Sequence, residues 1–211
     1  MSSTKSIILS CAGIGSRLGL GKTKALMDIC GRSLISWQLE AFKDIEDLRV
    51  VVGFQASDVI EEVRKYREDV VFVYNRDYFH TKTGHSYYLG AKDANQYCIE
   101  WDGDLLVHPD DVKRLLSESS EFIAYSDKTS DDAVMLSTNS KGEVVGFSRN
   151  SGDWEWTGPC CLSKEKIIAN AGHVYNILEQ HLPIKGIHIR AQDIDTYEDY
   201  LRALEFVKSW H

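Results

Sequence analysis

A glycine-rich, cationic stretch between residues 10 and 26 constrains this chain more than any other part of it. It reads S-C-A-G-I-G-S-R-L-G-L-G-K-T-K-A-L and directly follows the apolar run Ile7-Ile8-Leu9, which is typical of a buried first strand. Glycine permits positive φ and close approach of the backbone, so successive N–H groups can turn towards an anion. Arginine and lysine add charge and hydrogen bonds to phosphate oxygens. Strand, glycine loop and cations together predict a polyphosphate site.

Two common phosphate-binding motifs fail in this stretch, each at one position. A P-loop requires its first glycine where this chain has Ser16. A dinucleotide-binding fingerprint requires its third glycine where this chain has Leu18. A glycine-rich surface turn with solvated charges is the alternative interpretation of the same residues.

Composition sets broad limits on the class of protein. At 211 residues the chain suits one domain, residues 1–211, with a sizeable core. Its net charge of −8 disfavours a nucleic-acid surface, and no apolar run approaches the roughly 20 residues of a membrane span. The five cysteines lack C-x-x-C spacing, so reduced thiols are the default, and the N-terminus has no apolar signal-peptide core. We therefore expect a cytoplasmic enzyme without nucleic-acid or membrane partners.

The glycine loop resembles that of nucleotidyltransferases, which join an NTP to a phosphorylated small molecule and release pyrophosphate. The matching segments are A-G-I-G-S-R-L at 12–18, K-A-L at 24–26 and G-R-S-L-I at 31–35. The family pattern has proline before the lysine, whereas this chain has Thr23, so the fixed φ of proline is not available there.

This resemblance implies roles for the residues of the loop. It implies catalytic roles for Arg17, on the β- and γ-phosphates, and for Lys24, on the α-phosphate under attack. The remaining loop positions that the resemblance assigns to nucleotide binding are Ala12, Gly13, Gly15 and Ser16.

Apolar runs and turn signals alternate along the chain in an order typical of β-α-β units. Strands are predicted at 7–9, 48–53, 70–74, 98–101, 122–125 and 187–189, and helices after residue 33, after residue 57, at 86–95, 110–116, about 164–170 and 174–180, and from 196. Short apolar runs at 133–136 and 144–148 flank a turn and predict an antiparallel hairpin. We therefore predict an α/β fold with a doubly wound, mostly parallel Rossmann-like sheet and a small β-hairpin insertion, about 133–160, that forms the acceptor side.

Two acidic segments follow or precede predicted elements at positions suited to a metal. Asp102-Gly103-Asp104 follows the fourth strand, and ligands gather at the carboxyl ends of strands in open α/β sheets. The second segment, D-I-D-T-Y-E-D-Y at 193–200, resembles the closing signature of the family. The resemblance implies that Asp104 and Asp195 hold one Mg²⁺ and that Asp102 is a further carboxylate of the nucleotide site. Residues 102–104 could also be a simple turn, and Thr196 a helix cap.

The segment Y-N-R-D-Y-F-H-T-K-T-G-H-S at 74–86 narrows the resemblance. It is similar to a stretch of cytidylyltransferases that act on phosphocholine-like and phosphonate substrates, although Lys82 stands where that family has asparagine. The similarity implies that Thr83, His85 and Ser86 contact the nucleotide or a phosphate, and a helix N-terminus favours anions. His85 could instead be a surface residue at the helix cap.

The acceptor side is predicted from a polar and aromatic segment. Arg149 stands where the family often has a cation for the substrate phosphate. Two indoles and two carboxylates follow within four residues and could bind an ammonium group through cation–π and charge contacts: Asp153, Trp154, Glu155 and Trp156. Strand alternation places both indoles on one face, so core packing of a tryptophan explains the pattern equally well.

The sequence thus predicts a Mg²⁺-dependent nucleotidyltransferase, of the cytidylyltransferase kind, that joins an NTP to a small phosphorylated or phosphonate acceptor. CTP is preferred because of the similarity at 81–86. A sugar-1-phosphate nucleotidyltransferase is the first alternative, since it shares the loop. A nucleotide-binding module without catalysis is the second, because Thr23 and Lys82 depart from the family pattern.

Overall fold

The computed structural model describes residues 5–15, 21–129 and 133–210. The strands are β1 (Lys5–Cys11), β2 (Asp28–Ile29), β3 (Arg32–Ser33), β4 (Asp47–Val52), β5 (Val70–Tyr74), β6 (Tyr97–Asp102), β7 (Leu105–Val107), β8 (Phe122–Ser126), β9 (Met135–Thr138), β10 (Glu143–Ser148), β11 (Trp154–Ser163), β12 (Ile184–His188) and β13 (Ala191–Asp193). The helices are α1 (Leu34–Ala41), α2 (Ala56–Arg64), α3 (Thr83–Ala91), α4 (Pro109–Ser117), α5 (Tyr175–Leu178) and α6 (Tyr197–Lys208).

A nine-stranded sheet with the order β5-β4-β1-β6-β11-β8-β12-β10-β9 forms the centre of the fold. Its first four strands are parallel, with β1 between β4 and β6. The predicted strands in this half are confirmed. They could be predicted because buried parallel strands form continuous apolar runs bounded by turn residues.

The other half of the sheet is antiparallel for the most part and closes on itself. Strand β11 pairs with both β6 and β8 in antiparallel fashion, and it also pairs with β9. The strands β11, β8, β12, β10 and β9 therefore form a closed ring. The sheet is thus mixed rather than mostly parallel, and the predicted hairpin, β9 with β10, is two strands of this ring. Gly158 and Pro159 lie inside β11. Both residues are uncommon in strand interiors, so the sequence does not indicate a continuous strand there.

Helices cover both faces of the parallel half. Along β1, Ile7 and Leu9 pack with α1, α2 and α4, whereas Ile8 packs with α3 and α5. Gly90 lets α3 approach closely, because a Cβ atom there would lie 2.4 Å from Cγ2 of Ile8. Alternate residues of a strand point to opposite faces, so a run of apolar residues serves both layers.

Some predicted helices are shorter in the structure, and some short strands were not predicted. The predicted helix at 164–170 is a single 3₁₀ turn, Lys164–Lys166, and the predicted helix at 174–180 is shorter, as α5 followed by the 3₁₀ turn Glu179–His181. The pair β7 and β13 was not predicted, because three-residue strands carry too little periodicity. None of the helices in the described part of the chain has the length and apolarity needed to cross a bilayer.

Candidate functional site

The carboxyl ends of β1 and β6 bring the glycine loop and the first acidic segment to one edge of the sheet. Ser10 is in register with Asp102, and the Gly103 N–H donates to the Ser10 carbonyl at 2.9 Å. Only glycine fits at 103, because a Cβ atom would lie 2.7 Å from both Sγ of Cys11 and the Ser10 oxygen. The close approach of the two backbones directs the neighbouring aspartates towards the loop.

The short pair β7 and β13 brings the second acidic segment to the same place. Asp193 is in register with Leu105, and the Ile194 N–H donates to the Asp104 carbonyl at 3.2 Å. As a result, one carboxylate oxygen each from Asp104, Asp193 and Asp195 lies within 4.8 Å of the others. Segments that are about ninety residues apart in sequence therefore form one acidic cluster.

Lys24 is the cation at the centre of this cluster. Its Nζ lies 2.7 Å from Oδ2 of Asp104 and also contacts Oδ1 of Asp195, and its side chain is almost fully buried. Burial alone would lower the pKa of Lys24, but the charges of Asp104 and Asp195 outweigh burial and raise it above its usual value. Lys24 is therefore a fixed positive charge at neutral pH.

The cluster carries more negative charge than Lys24 can balance. Burial, and then the charge of Asp104, raises the pKa of Asp102 to about 8. Burial and the charges of Asp104 and Asp195 raise the pKa of Asp193 well above its usual range. Burial and mutual repulsion disfavour ionisation of these carboxylates, so a further cation nearby would stabilise their charged forms. Oxygen ligands of this kind suit Mg²⁺. The donor set thus fits a divalent metal.

Asp193 was missed as a member of this cluster by the sequence analysis, which named Asp104 and Asp195. The D-I-D pattern at 193–195 was the available signal. Strand alternation places residues two apart on the same face, so the pattern predicts that Asp193 and Asp195 point in the same direction and that both are candidate ligands.

A cavity of about 380 Å³ lies beside the cluster, at the glycine loop. The predicted residues that line it are Ala12, Gly13, Gly15, Lys24, Thr83, Ser86, Asp102 and Asp104. Gly15 has φ +65°, which glycine adopts without strain. Ser16 and Arg17 lie outside the described residues. The structure thus brings most of the predicted nucleotide-binding residues to one cavity.

The start of α3 forms the opposite wall of this cavity, with one departure from the prediction. The N–H groups of Lys82 and Gly84 donate to the carbonyls of residues 171 and 172, at 2.9 and 3.0 Å, so both are already bonded within the chain. Thr83 and Ser86 face the cavity, whereas His85 is absent from its lining and lies near the ring of Tyr88. Residues three apart share a helix face, and position 85 is rotated away from it.

A second cavity, of about 270 Å³, adjoins the first and opens towards the ring of strands. Arg149, Glu155 and Trp156 line it, as do Asp193 and Asp195. Thr83, Asp102, Asp104 and His173 line both cavities, so the two cavities meet at the acidic cluster.

Asp153 and Trp154 do not line either cavity, contrary to the prediction. The ring of Trp154 packs against Tyr125 and His188 at centroid distances of 5.3 and 5.2 Å. Asp153 accepts a hydrogen bond from the Thr138 N–H at 3.1 Å. Both indoles pack against the same core cluster, as alternation predicted, but only Trp156 reaches the cavity.

Two aromatic residues of the second cavity were missed. Tyr175 lies 5.8 Å from Trp156 in a T-shaped arrangement, and His173 stacks on Tyr175 with an interplanar angle of 9°. Burial, followed by the charges of Arg149 and Lys82, lowers the pKa of His173. No local pattern predicts this contact, because residues 173–175 are positioned by the hydrogen bonds that join the carbonyls of residues 171 and 172 to the start of α3.

Thr23, where proline was expected, has the backbone angle that proline would impose. Its φ is −62°, and proline fixes φ near −65°. The Thr23 N–H, which proline lacks, donates to Oε1 of Gln55 at 2.8 Å, and Nε2 of Gln55 donates to the Gly21 carbonyl at 3.1 Å. Gln55 therefore clamps the segment immediately before Lys24.

Comparison with known proteins agrees with this geometry. Residues 7–166 match the family described as the MobA-like NTP transferase domain. The bifunctional protein GlmU of Wolinella succinogenes is 28% identical over 120 residues, which are 56% of this chain and 28% of that protein. The chain thus matches less than a third of the length of this curated relative.

Two solved structures resemble the whole chain. The CTP:phosphocholine cytidylyltransferase of Streptococcus pneumoniae superposes with a TM-score of 0.78 at 18% identity, covering 96% of this chain and 99% of that one. The inositol-1-phosphate CTP transferase of T. maritima superposes with a TM-score of 0.82 at 16% identity, covering 99% and 97%. These likenesses establish a shared mixed α/β fold.

The Gln55 clamp predicts a coupling between positions 23 and 55. Gln55→Gly removes the acceptor of the buried Thr23 N–H, which we expect to lower the free energy of unfolding by about 1–3 kcal/mol. Glycine suits the φ of +50° at this position. In a Thr23→Pro background no N–H is left to satisfy, so the same change should cost about 1 kcal/mol less. Denaturant unfolding of the four proteins measures the difference, with Gln180→Ala as an exposed control. Equal costs in both backgrounds would disprove the clamp.

The acidic cluster predicts stabilisation by Mg²⁺ alone. At about five times its dissociation constant, Mg²⁺ should stabilise the protein by about 1 kcal/mol, which is about 2–4 °C in Tm. Asp193→Asn should abolish this increment, whereas Asp153→Asn should retain it, because Asp153 lies outside both cavities. Thermal scans with and without Mg²⁺ decide the matter. An increment in Asp193→Asn equal to that of the wild type would exclude Asp193 as a ligand.

Proposed function

Because this chain belongs to the family of MobA-like NTP transferases, we propose that it is a Mg²⁺-dependent cytidylyltransferase. It joins CTP to a small phosphate or phosphonate that carries an ammonium group. Family membership confirms the resemblance found in the glycine loop. The observation that carries the proposal is the meeting of two cavities, one at the glycine loop and one walled by aromatic rings, at Lys24 and the aspartates.

The reaction is an in-line displacement at the α-phosphate of the nucleotide. An oxygen of the acceptor phosphate forms a bond to the α-phosphorus, and the bond from the α-phosphorus to the bridging oxygen breaks, which releases pyrophosphate. Positioning and charge stabilisation account for most of the catalysis in phosphoryl transfer. The shared boundary of the cavities is where the two reacting groups would meet.

Lys24 stabilises the charge that develops on the α-phosphate. It lines the nucleotide cavity, and its contacts with Asp104 and Asp195 keep it protonated and fixed in position. A donor that is held in place before the reaction requires no reorganisation in the transition state. Arg17 and Ser16 are proposed to bind the phosphates from the part of the loop outside the described residues.

The metal would be held by Asp104, Asp193 and Asp195, whose oxygens lie within 4.8 Å of one another. Bound there, Mg²⁺ would supply positive charge to the phosphates. The buried carboxylates of this cluster would otherwise repel an incoming polyphosphate, so Lys24 and the metal together make the edge of the sheet receptive to it.

The acceptor is proposed to lie in the second cavity. Arg149 lines that cavity together with Trp156 and Tyr175, so one cation for a phosphate and two ring faces for an ammonium group stand close together. Glu155, also in the lining, accepts hydrogen bonds from the N–H and Oγ1 of Thr129 and adds negative charge. The fold likeness to a CTP:phosphocholine cytidylyltransferase supports the same acceptor class.

A polyhydroxylated phosphate is the second candidate acceptor. Thr129 and Thr157 line the second cavity, and one of the solved structures of the same fold is an inositol-1-phosphate CTP transferase. The two solved structures named above use CTP by name, which supports CTP as the nucleotide in either case.

Pyrophosphate release over the four NTPs tests the proposal, with phosphocholine, aminoethylphosphonate, inositol-1-phosphate and sugar-1-phosphates as acceptors. We expect the highest kcat/KM for CTP with an ammonium-bearing acceptor. Lys24→Met should lower kcat by about 10²–10³-fold, whereas the exposed neighbour Lys22→Met serves as the control. Nucleotide binding without turnover for every pair would indicate a binding module. A preference for the hydroxylated phosphates would exclude the ammonium acceptor.

The aromatic wall predicts that Trp156 and Trp154 differ in their effect on the acceptor. Trp156→Leu should raise KM for phosphocholine by about 3- to 30-fold, the loss expected for one cation–π contact. Trp154→Leu should leave KM unchanged, since that indole packs away from the cavity. The assay is repeated with 3,3-dimethylbutyl phosphate, in which a neutral tert-butyl group replaces the trimethylammonium group. This comparison separates the effect of the ammonium charge from that of its shape. Equal losses for both acceptors in Trp156→Leu would show that the indole acts by packing alone.

A further inference from the structure

Strand β5 forms one edge of the nine-stranded sheet, and among the described strands it pairs only with β4. Its sequence is V-V-F-V-Y, with no charge, proline or bulge, which are the features that normally protect an exposed edge from pairing. Val71 and Tyr74 are 46% and 54% exposed. We propose that β5 is a homodimer interface, at which two copies of this chain pair antiparallel about a two-fold axis at Phe72 and extend the sheet.

The direction of the backbone groups fits this symmetry. The Asn75 N–H donates to the Val52 carbonyl of β4 at 2.8 Å, and alternate residues of a strand direct their polar groups to the same side. The backbone N–H and C=O groups of Val71 and Val73 therefore point to β4. Those of Val70, Phe72 and Tyr74 point to the open edge of the sheet. These three positions are symmetric about Phe72. Two copies can thus exchange paired hydrogen bonds between Phe72 and the partner's Phe72, and between Val70 and the partner's Tyr74.

The charges that flank β5 are complementary to themselves under the same two-fold axis. Glu68 precedes the strand and Arg76 follows it, and both are exposed. The structure gives neither side chain an ion pair or hydrogen bond with another described residue. Antiparallel pairing brings Glu68 of each copy towards the partner's Arg76, just beyond the two ends of the strand, where opposite charges attract. A shift of the register by two residues towards the C-terminus would instead oppose Asp69 and the partner's Asp77.

Pairing in this register also removes apolar surface from water. Phe72 faces its own symmetry mate, and cross-strand aromatic pairs stabilise a sheet. The exposed side chains of Tyr74 and Val71 become covered by the partner strand. The interface is made of one strand and its flanks, and short interfaces of this kind give weak, concentration-dependent dimers.

Sedimentation velocity over a range of protein concentrations tests the dimer. The wild-type chain should be dimeric at about 100 μM and dissociate on dilution. Val71→Lys should weaken dimerisation by at least about tenfold, because edge lysines block strand pairing. Val145→Lys, at a position that is 45% exposed elsewhere in the sheet, should dimerise as the wild type does. A monomeric wild-type protein at that concentration would overturn the proposal.

A charge swap tests the register without touching the strand itself. Glu68→Arg and Arg76→Glu should each weaken the dimer, and the double variant should recover to within about threefold of the wild type. These exposed positions do not contribute to the core, so the fold is retained, which circular dichroism verifies. A dimer that is insensitive to the single changes, or a double variant that does not recover, would refute the pairing about Phe72.

Discussion

The contact of Lys24 with Asp104 and Asp195 is the interaction on which the candidate site depends. It joins three parts of the chain that are distant in sequence, namely the glycine loop, the end of β6 and the end of β13. Ion pairs withdrawn from water cost desolvation energy, and removal of one partner leaves a buried charge. The surplus of carboxylates around Lys24 is therefore a poor way to stabilise a fold. It fits the proposed site, in which a metal and a polyphosphate would complete the balance of charge.

The two halves of the sheet contribute different things to this site. The parallel half supplies backbone geometry: its strand ends position the aspartates, and Gly103 is packed so tightly that no other residue fits. The ring of β8 to β12 supplies side chains, including Trp156 and, through the adjacent loop, Tyr175. Backbone geometry suits a ligand that is the same in every reaction of a family. Side chains on the separate ring of strands can change without disturbing the backbone geometry of the parallel half. Enzymes of this kind can therefore diverge in the acceptor that they bind.

Features of the fold and the site could be predicted where they depend on residues that are close in sequence, and not where they depend on contacts between distant segments. Strands of the parallel half, Lys24 and Asp104 were predicted from local patterns, since each lies in a continuous motif. Closure of the ring could not be, because the partner of an antiparallel strand is not written in its own sequence. His173 was missed for the same reason, as its place depends on backbone bonds between residues 171–172 and α3. Trp154 and Trp156 have identical local patterns, and only the packing of Tyr125 and His188 separates them.

The exchange of proline for threonine at position 23 shows how a departure from a motif can preserve its geometry. Proline restricts φ covalently and has no N–H to satisfy. Threonine leaves φ free and adds a buried donor, so the same conformation needs an external acceptor, which Gln55 provides from the positive φ of the turn that begins α2. The constraint has moved from one residue to a contact between two segments. Lys24 is the next residue in the chain, so loss of the contact between Thr23 and Gln55 would first alter the position of Lys24 in the acidic cluster. The departure at Thr23 therefore does not by itself argue against catalysis.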